Sequence, residues 1–345
     1  MTNDMALAKQ FIKALADGHK ISRTDIVGGG FMTFGNVYYV VESSEANYTV
    51  LKREYDVTYN DGSNAFCSTV DEAMGKCVSG RDDIIVLSAN VSNKVTAMLA
   101  VSKNRVHFVG TGFAHRKIGS RSLISNTGAG AATDVAMVYI TGTGCSFHDI
   151  SFKNNWTAAE NLFSVQDYGI QTFFENCDIE NLGSAHLTNN AAASLNAAGS
   201  ESIFENCTLG QDTLLITSTG GQQVLITAKG AGTKCTRTRF VFCRFQAWTS
   251  DTTHVFIRAG ASTIDRDVTL DHPEFCNTGA LATSGVTLAV AVATNSGVGG
   301  AINVISPAIF RCSDLATASV GATGVFVVSP VLAAAASDCV AVQSS

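Results

Sequence analysis

Proline and charged residues are scarce in this chain, and its composition limits the structures and partners that the protein can have. Only three of the 345 residues are proline, and charged side chains make up 15% of the sequence, against about a quarter in a typical globular protein. The net charge of −6 argues against nucleic-acid binding as the main role. No apolar run approaches the roughly 18 residues that a membrane helix needs. We therefore expect neither nucleic acid nor a membrane among the partners.

The N-terminus shows a further shortage. Residues 1–5 lack the basic side chains and the apolar core of a signal peptide. The ten cysteines therefore indicate reduced, buried thiols, because a cytoplasm keeps thiols reduced and a free cysteine packs as a small hydrophobic residue. We expect the protein to fold in a reducing cytoplasm without disulfides.

A six-residue pattern, apolar-x-x-(Cys, Ile or Pro)-x-apolar, returns about once every thirty residues. All three prolines occupy its fourth position. A unit of this length is too short to bury its own apolar side chains, so successive units must cover one another as a solenoid. The seven copies are residues 147–152, 174–179, 204–209, 240–245, 270–275, 304–309 and 327–332.

The composition of these units favours strands over helices. They are rich in Phe, Val, Ile and Thr and are punctuated by Gly, Asn and Ser, as in residues 214–220 and 224–227. The regular Leu/Asn spacing of a leucine-rich repeat is absent. The sequence therefore predicts an all-β rod in which each coil has three short strands. Roughly eight or nine coils, about 4.8 Å apart, extend from about Ile84 to Leu332.

A bend is predicted between the first and fourth positions of the pattern, because only every second side chain of a straight strand shares a face. The third position holds Asp149, Asn176 and Asn206 in the first copies, and these residue types tolerate a left-handed backbone. From His272 onward the next residue is proline, which pushes its predecessor toward extended geometry. We therefore expect the corner to change shape at that point. The fourth-position cysteines are predicted to stack inside the core: Cys177, Cys207 and Cys243.

The start of the stack resembles that of the pectin lyase-like superfamily of right-handed parallel β-helices. Residues 67–87 read as a short helix that caps the rod, followed by a D-x-I-x-V strand, and residues 103–112 resemble the next coil. The resemblance covers about four fifths of the chain and implies a right-handed parallel β-helix with a short capping helix. It implies no single function, because the superfamily includes polysaccharide lyases, hydrolases, esterases, viral tailspikes and inert virion proteins.

We divide the chain after residue 62. Residues 1–62 predict a small N-terminal α/β attachment or assembly region, with a helix over 5–15 and strands over 31–42 and 48–59. A cap that simply covers the open end of the rod is the alternative, because the terminal repeats of a solenoid need covering. Residues 63–345 predict the parallel β-helix.

The C-terminal end of the rod is nearly uncharged. From Thr278 to Ser345 the only charged side chains are Arg311, Asp314 and Asp338. A large uncharged surface on a protein in water usually marks a contact. We expect this end to be the oligomerisation surface of a trimer.

One motif is similar to a catalytic segment of pectin methylesterases. Residues 211–214 read Q-D-T-L, and in those enzymes the Asp acts as general acid/base while the Gln steadies the oxyanion. They also need a nucleophilic carboxylate one coil later, in a D-F-I-F-G segment, and an Arg. Residues 232–242 contain no carboxylate, and covalent catalysis cannot be completed without a nucleophile. We therefore interpret Asp212 as a turn residue.

Other acidic and histidine residues suggest no complete site. A pectate lyase needs a ladder of carboxylates that binds calcium, and the sequence shows no such ladder. Gln166 and Asp167 are predicted to lie in a solvated loop. Carboxylates from separate coils can still meet in space. The seven histidines lack metal-ligand spacing, and we expect most of them to be solvated or stacked in turns. We assign no catalytic, cofactor-binding or metal-binding residue. Four acidic residues are predicted at outward or turn positions without a cluster: Asp178, Glu180, Glu201 and Glu205.

Basic residues gather in two places, where a solvated face is the favoured interpretation and a grip on an acidic polysaccharide or a neighbouring protein is the alternative. The two groups are Lys234, Arg237, Arg239 and Arg244, and His115, Arg116, Lys117 and Arg121.

These features predict a non-enzymatic structural protein of a phage-like virion, a β-helix trimer that decorates a capsid or forms part of a tail. It is expected to be made in the host cytoplasm. The expected partners are further copies of itself, other virion proteins such as a capsid shell, and, as a further candidate, acidic polysaccharide. The alternatives are a polysaccharide-degrading enzyme, such as a depolymerase or lyase, and a glycan-binding module.

Overall fold

A computed structural model describes residues 35–328 except 90–91, 113, 116–117, 120, 127, 129, 231, 279–285, 295–298 and 317–324. Within this part the chain winds as a right-handed parallel β-helix with three parallel sheets of 11, 8 and 8 strands. The predicted all-β rod is confirmed. The helix predicted over residues 5–15 lies outside the described residues, and so does the C-terminal segment from 329 onward.

Each coil contributes one strand to each sheet, because the chain turns at a corner after every strand. The first sheet contains β1 (Val37–Val40), β2 (Phe66–Cys67), β3 (Asp83–Leu87), β6 (Val106–Gly110), β11 (Ser146–His148), β14 (Phe173–Glu175), β17 (Ile203–Glu205), β20 (Cys235–Val241), β23 (Ile264–Asp271), β26 (Ala301–Ile305) and β29 (Val325–Val328).

The other two sheets follow the first along each coil. The second contains β4 (Ser92–Val95), β9 (Ser122–Asn126), β12 (Ile150–Asn154), β15 (Asp178–Asn181), β18 (Thr208–Ile216), β21 (Arg244–Thr249), β24 (Glu274–Asn277) and β27 (Ala308–Phe310). The third contains β5 (Leu99–Val101), β10 (Ala136–Ile140), β13 (Phe163–Asp167), β16 (Ala193–Ala197), β19 (Gln222–Ile226), β22 (Val255–Ala259), β25 (Leu288–Thr294) and β28 (Cys312–Ala316). A small antiparallel pair, β7 (Ala114–His115) and β8 (Ile118–Gly119), lies apart from them.

The repeat positions align from coil to coil as the pattern predicts. In the first sheet the first positions pair in one row, from Phe147 through Phe174 to Val327. In the second sheet the sixth positions pair likewise, from Phe152 through Ile179 to Ile309. Like-placed side chains therefore lie directly above one another along the rod.

The core of the first sheet is a continuous file of five phenylalanines. Their ring centroids are 4.7–4.9 Å apart, which matches the spacing of neighbouring strands, about 4.8 Å. All five rings are fully buried. The strand spacing therefore stacks the aromatic rings at near-contact distance. The first position of the repeat lies in the core of the rod. The five are Phe108, Phe147, Phe174, Phe204 and Phe240.

The corner between the first and second sheets keeps one shape along the rod. Its third-position residue has a left-handed backbone in every described copy, with φ of 57° at Asp149, 52° at Asn206, 50° at His272 and 49° at Ser306. The predicted change of shape before proline is therefore wrong. The N–H at this position donates to a carbonyl of the next coil, as from His272 to Ile305 at 2.8 Å, and this inter-coil bond prevails over the local preference of the residue before proline.

The corner cysteines lie inside the core, as predicted. Cys177, Cys207 and Cys243 are at most 1% exposed. Each thiol donates to the carbonyl of a phenylalanine in an earlier coil, at 3.3–3.6 Å. Burial raises the pKa of the Cys177 and Cys207 thiols. The nine cysteines of the described part are all free thiols, and seven of them are buried.

A short helix caps the N-terminal end, in agreement with the resemblance. This is α2 (Val70–Lys76), and α1 (Tyr48–Tyr55) precedes it, while α3 (Ser184–Thr188) belongs to a loop farther along. Helix α2 begins at Thr69, whose hydroxyl accepts the N–H of Glu72 at 3.1 Å, and it buries Val70 and Met74 on the end of the core.

The strand predicted over residues 48–59 is wrong, because residues 48–55 form helix α1. Leu, Lys, Arg and Glu in this segment are good helix formers. Tyr48 and Tyr55 are seven residues apart and so share one helix face. The ring of Tyr55 stacks on Tyr39 at 4.1 Å, and that of Tyr48 meets the edge of Phe66 at 5.5 Å.

The described part of the first 62 residues is joined to the rod. Strand β1 pairs in parallel with both β2 and β3, so residues 37–40 belong to the first sheet. The division of the chain after residue 62 stays a prediction. Among the described helices, none has the length and apolar character to cross a membrane.

Candidate functional site

The Q-D-T-L segment lies in β18, at a shift of strand register between Gln211 and Ile216. Gln211 is fully buried. Its side-chain oxygen accepts the N–H groups of Thr213 and Leu214, both at 2.8 Å, and its amide donates to the Leu214 carbonyl at 2.7 Å. The Gln211 amide therefore holds the local backbone. Asp212 lies within the same irregular segment.

The other acidic residues are more buried than their sequence positions predicted. Asp178 and Glu180 flank the core residue Ile179 and so point away from the core, yet they are only 5% and 3% exposed. Glu180 pairs with Lys153 at 3.3 Å. Glu201, in contrast, pairs with Arg237 near the surface. Glu205 ends strand β17 in the first sheet.

The interpretation of Gln166-Asp167 as a solvated loop is wrong. Both residues belong to strand β13, and Asp167 is fully buried. Its carboxylate accepts hydrogen bonds from the hydroxyls of Ser202 (2.6 Å) and Thr172 (3.1 Å) and from the N–H of Gly169 (3.0 Å). Burial raises the pKa of Asp167. This carboxylate ties the turn after β13 to the equivalent turn of the next coil.

The basic residues do not form one open patch. In the first group, Arg237 pairs with Glu201, and Arg244 lies 3.7 Å from Glu274. In the second group, Arg121 is 7% exposed and donates to the Asn176 side chain at 3.2 Å. Residues 116–117 and the side chain of residue 115 lie outside the described part.

Two histidines predicted to be solvated or in turns are buried instead. His186 and His254 are 1% and 0% exposed. The side chain of Gln223 bridges them, with its oxygen 3.3 Å from Nε2 of His186 and its amide nitrogen 3.0 Å from Nε2 of His254. Burial lowers the pKa of His186 to about 4 and that of His254 to about 3, so both rings are neutral at neutral pH.

A second pair of histidines forms a hydrogen-bonded array on the outer face of the first sheet. Asp82 Oδ1 lies 3.3 Å from Nε2 of His107, and Nδ1 of His107 lies 2.8 Å from the Ser146 hydroxyl. That hydroxyl is 3.0 Å from Nε2 of His148, and Nδ1 of His148 is 3.0 Å from Glu175 Oε2. A single serine therefore lies between two histidines, each with a carboxylate behind it. We call this the Ser146 array.

The sheet register brings these five residues together. His107 pairs with Ser146 between β6 and β11, and His148 pairs with Glu175 between β11 and β14. Ser146 and His148 flank the buried Phe147, so both side chains point outward. The side chains of His107 and His148 are 28% and 24% exposed. The array is therefore fixed by neighbouring coils, with partly exposed histidines on both sides of Ser146, which is itself 9% exposed.

Four hydrogen bonds join the five groups of the Ser146 array. The tautomers of the two imidazoles decide which atom donates in each of them.

Burial is the main cause that lowers the pKa of His107, so this ring is neutral at neutral pH. The hydrogen bond with His148 lowers the pKa of Glu175, so this carboxylate is ionised. In the tautomer of His107 whose Nε2 proton faces Asp82, Nδ1 accepts from the Ser146 hydroxyl.

Arg105 holds the outer carboxylate of the array. Its Nε donates to Asp82 Oδ1 at 2.7 Å, and its Nη2 donates to Asp82 Oδ2. A two-point contact of this kind fixes the orientation of a carboxylate. It keeps Asp82 Oδ1 directed at Nε2 of His107.

The outward-facing residues that align with Ser146 in the next two coils are apolar. Ser146 pairs with Phe173 in the next coil, and Phe173 pairs with Ile203 in the coil after that. Both apolar side chains are partly exposed, and the Phe173 ring meets the edge of His148 at 5.6 Å. Beyond them Arg239 is exposed. The array therefore lies beside a short apolar strip that ends at a cation.

Sequence reasoning missed the Ser146 array because its members are spread over 94 positions, from Asp82 to Glu175. A signal was present in the repeat. Aligning Phe108, Phe147 and Phe174 as one core position places His107 beside Ser146, and His148 beside Glu175. Within the described residues, no three His, Cys, Asp or Glu side chains are grouped closely enough to hold a metal ion.

No protein-family model and no curated protein matches the sequence. Among solved structures, the deglycosylated pectin methylesterase of Aspergillus niger is similar, with a TM-score of 0.51 and 12% sequence identity over 85% of this chain and 83% of the enzyme. The fold is the pectin lyase-like right-handed parallel β-helix. At this identity the likeness shows the fold alone.

Two further structures are similar to this pectin lyase-like chain at lower scores. The pectin methylesterase PemA from Erwinia chrysanthemi has a TM-score of 0.47 and 11% identity, over 88% of this chain and 92% of the enzyme. The ORF18 protein of Geobacillus virus E2 has a TM-score of 0.38 and 11% identity, over 82% of this chain and 60% of the viral protein.

Proposed function

We propose that this protein is a structural rod of a phage-like virion, where three copies associate and decorate a capsid or form part of a tail. The observation that supports this most directly is the apolar outer surface of the last described coils. Phe242 and Phe310 are 49% and 52% exposed. Single exposed apolar residues are ordinary, but Phe310 belongs to the end of the rod that carries few charges.

A second apolar surface lies on a different face of the rod. A depression of about 340 Å³ on the outside of the third sheet is lined in part by Val255, Ala289, Val290 and Ala293. Phe310, in contrast, lies on the second sheet. Two apolar surfaces on different faces suit a contact in which one face of a copy meets the other face of the next copy. Such contacts close into a ring of three when each copy is rotated by a third of a turn relative to the last.

The N-terminal region has a separate role in this proposal. Residues 1–62 attach the rod to other virion proteins, such as a capsid shell, and the protein is made in the host cytoplasm before assembly. Acidic polysaccharide is a further candidate partner of the outer surface. A polysaccharide-degrading enzyme and a glycan-binding module stay the alternatives, and assays of reducing ends and of glycan retention test them.

The mass of the full-length protein in solution tests the assembly. We expect three times the 36.1 kDa of one chain, and we expect Phe310→Asp to shift the mass toward one chain because it places a charge in the contact. Val50→Asp is the matched control, since Val50 is 46% exposed at the opposite end. A wild-type protein that stays a monomer and is absent from native particles by electron microscopy would contradict the proposal.

A further inference from the structure

We propose that Ser146 is the nucleophile of a site that hydrolyses carboxylic esters with short apolar acyl groups. The site is the Ser146 array on the outer face of the first sheet. It is independent of how the rods associate, since it lies in coils near the N-terminal end, away from Phe310 and the depression on the third sheet.

The geometry around Ser146 is that of a serine nucleophile with its base and orienting acid. On one side, Glu175 contacts Nδ1 of His148, whose Nε2 contacts the serine hydroxyl. Serine hydrolases use this order of carboxylate, Nδ1, Nε2 and hydroxyl on unrelated folds. On the other side, Asp82 and His107 repeat the arrangement with the ring nitrogens exchanged.

His107 supplies the base. Its lowered pKa keeps the ring neutral at neutral pH, and Nδ1 accepts the Ser146 proton because the Nε2 proton faces Asp82. The protonated His107 then acts as the acid that gives this proton to the leaving oxygen.

The reaction proceeds in two balanced halves. Ser146 Oγ bonds to the ester carbonyl carbon, the carbonyl π pair moves to oxygen, and the serine proton passes to His107. The tetrahedral intermediate then collapses, the bond to the alcohol oxygen breaks, and His107 gives that oxygen its proton. A water molecule next attacks the acyl carbon, and its proton passes to His107. The second intermediate collapses, the bond to Ser146 Oγ breaks, and His107 returns the proton to Oγ as the carboxylic acid leaves.

The outward row beside Ser146 indicates the acyl group. Phe173 is one coil away and Ile203 two, so an apolar chain attached to the reacting carbonyl lies along a strip about 10 Å long. This length accommodates a short chain such as acetyl or butyryl. The exposed Arg239 in the following coil favours esters that also carry a negative charge.

Covalent labelling of the full-length protein tests the nucleophile. A fluorophosphonate probe is expected to form one adduct on Ser146, located by peptide mass spectrometry, and Ser146→Ala should abolish it. Hydrolysis of 4-nitrophenyl acetate and 4-nitrophenyl butyrate should fall by about 100-fold or more in the same variant. Absence of the adduct, hydrolysis unchanged in Ser146→Ala, or labelling without hydrolysis of either ester would overturn the proposal.

The pH profile separates a catalytic array from a purely structural one. The wild-type rate is expected to fall on the acid side as His107 becomes protonated, and His107→Gln should remove that limb along with most of the activity. His272→Gln is the matched control, because His272 also contacts a carboxylate, Asp271, at 2.8 Å but lies at the corner of a different coil. An equal loss in both variants would contradict the assignment.

A second variant guards against loss of folding. Ser146→Cys keeps a nucleophile in place, and the neighbouring His107 should accept the thiol proton and pair with the thiolate. We expect iodoacetamide to modify residue 146 at pH 6 at least about tenfold faster than the partly exposed Cys276 and Cys312. A residue-146 thiol no more reactive than these two would count against an activated nucleophile.

Discussion

The two faces of the first sheet differ although the same strands build both. On the inner face one residue type recurs, and the rings of Phe108, Phe147 and Phe174 lie at a single spacing. On the outer face the same strands carry different polar groups, with His107 and Ser146 immediately before those rings. The inner face needs the same residue type in successive coils, whereas the outer face can carry different residue types.

The difference has a simple physical origin. Inside, each side chain contacts its equivalents in the coils above and below, so a change in size leaves a cavity or a clash. Outside, the strands need only their backbone hydrogen bonds, and water accommodates any side chain. Residues from different coils meet there at strand spacing, so adjacent coils can assemble a site without disturbing the core.

The largest effect is expected from shortening the ring at the centre of the inner file. Phe174→Ala should lower the free energy of unfolding by about 3–5 kcal/mol, because a buried ring is replaced by a cavity. Its neighbour Phe173 points outward and is partly exposed, so Phe173→Ala should cost less than about 1 kcal/mol. Chemical denaturation measures both, and equal losses would remove the distinction between the faces.

Acidification should separate buried histidines from exposed ones. His186 and His254 have pKa values lowered to about 4 and 3 in the folded protein, against about 6.5 when unfolded. Below pH 6.5 the unfolded state therefore binds more protons, and stability falls as the pH falls. We expect a loss of roughly 3 kcal/mol between pH 7 and 5.

The variant His254→Gln tests this acid sensitivity. Its unfolding free energy should depend less steeply on pH than that of the wild type, since all other groups titrate in both proteins. His272→Gln removes a side chain that is 51% exposed, and it should leave the slope unchanged. Denaturation series at pH 7, 6 and 5 give the slopes, and parallel curves for wild type and His254→Gln would refute the expectation.

The stability of the corner between the first and second sheets should depend on how readily its third-position residue adopts a left-handed backbone. Asn206 has φ of 52° and is exposed, so its replacement acts mainly through the left-handed backbone. Asn206→Ala should cost about 1 kcal/mol, whereas Asn206→Gly should stay within about 0.5 kcal/mol of the wild type. Thermal denaturation of the pair measures this, and an identical cost for Ala and Gly would mean that the corner is not held in that conformation.

The smallest effect on stability is expected at the centre of the outer array. Ser146→Ala removes two hydrogen bonds to partly exposed histidines, and Ser146 itself is 9% exposed, so it should lower the unfolding free energy by no more than about 1 kcal/mol. Phe147→Ala, one residue away on the inner face, is the matched contrast. A large loss in Ser146→Ala would show that the array contributes mainly to folding.

The inner face could be predicted from the sequence because its signal is periodic. The spacing of Phe174, Phe204 and Phe240 gave the coil length, and the register follows that spacing. The corner was predicted only in part. The hydrogen bond from the His272 N–H to the next coil cannot be recognised from the neighbouring residues in sequence. The preference of a residue before proline for extended geometry therefore predicted the wrong backbone conformation.

The outer face could not be predicted because its contacts join different coils. His107 and Ser146 are 39 positions apart, and neither has unusual neighbours in sequence. The burial of Asp167 escaped notice for the same reason, since Ser202 reaches it from 35 positions away. Once the coils are aligned, such pairs follow from the register, so the order of inference runs from the repeat to the site.

The strand order at the N-terminal end has a consequence for synthesis. Strand β1 lies between β2 and β3, both of which follow it in sequence. On a ribosome, the nascent segment 37–40 has no neighbour to pair with until residue 67 has emerged, and it gains the second after residue 87. Each later strand instead pairs with a strand of the preceding coil, which has already been synthesised. The rod therefore starts with a delayed closure of residues 37–87 and then lengthens in one direction as translation continues.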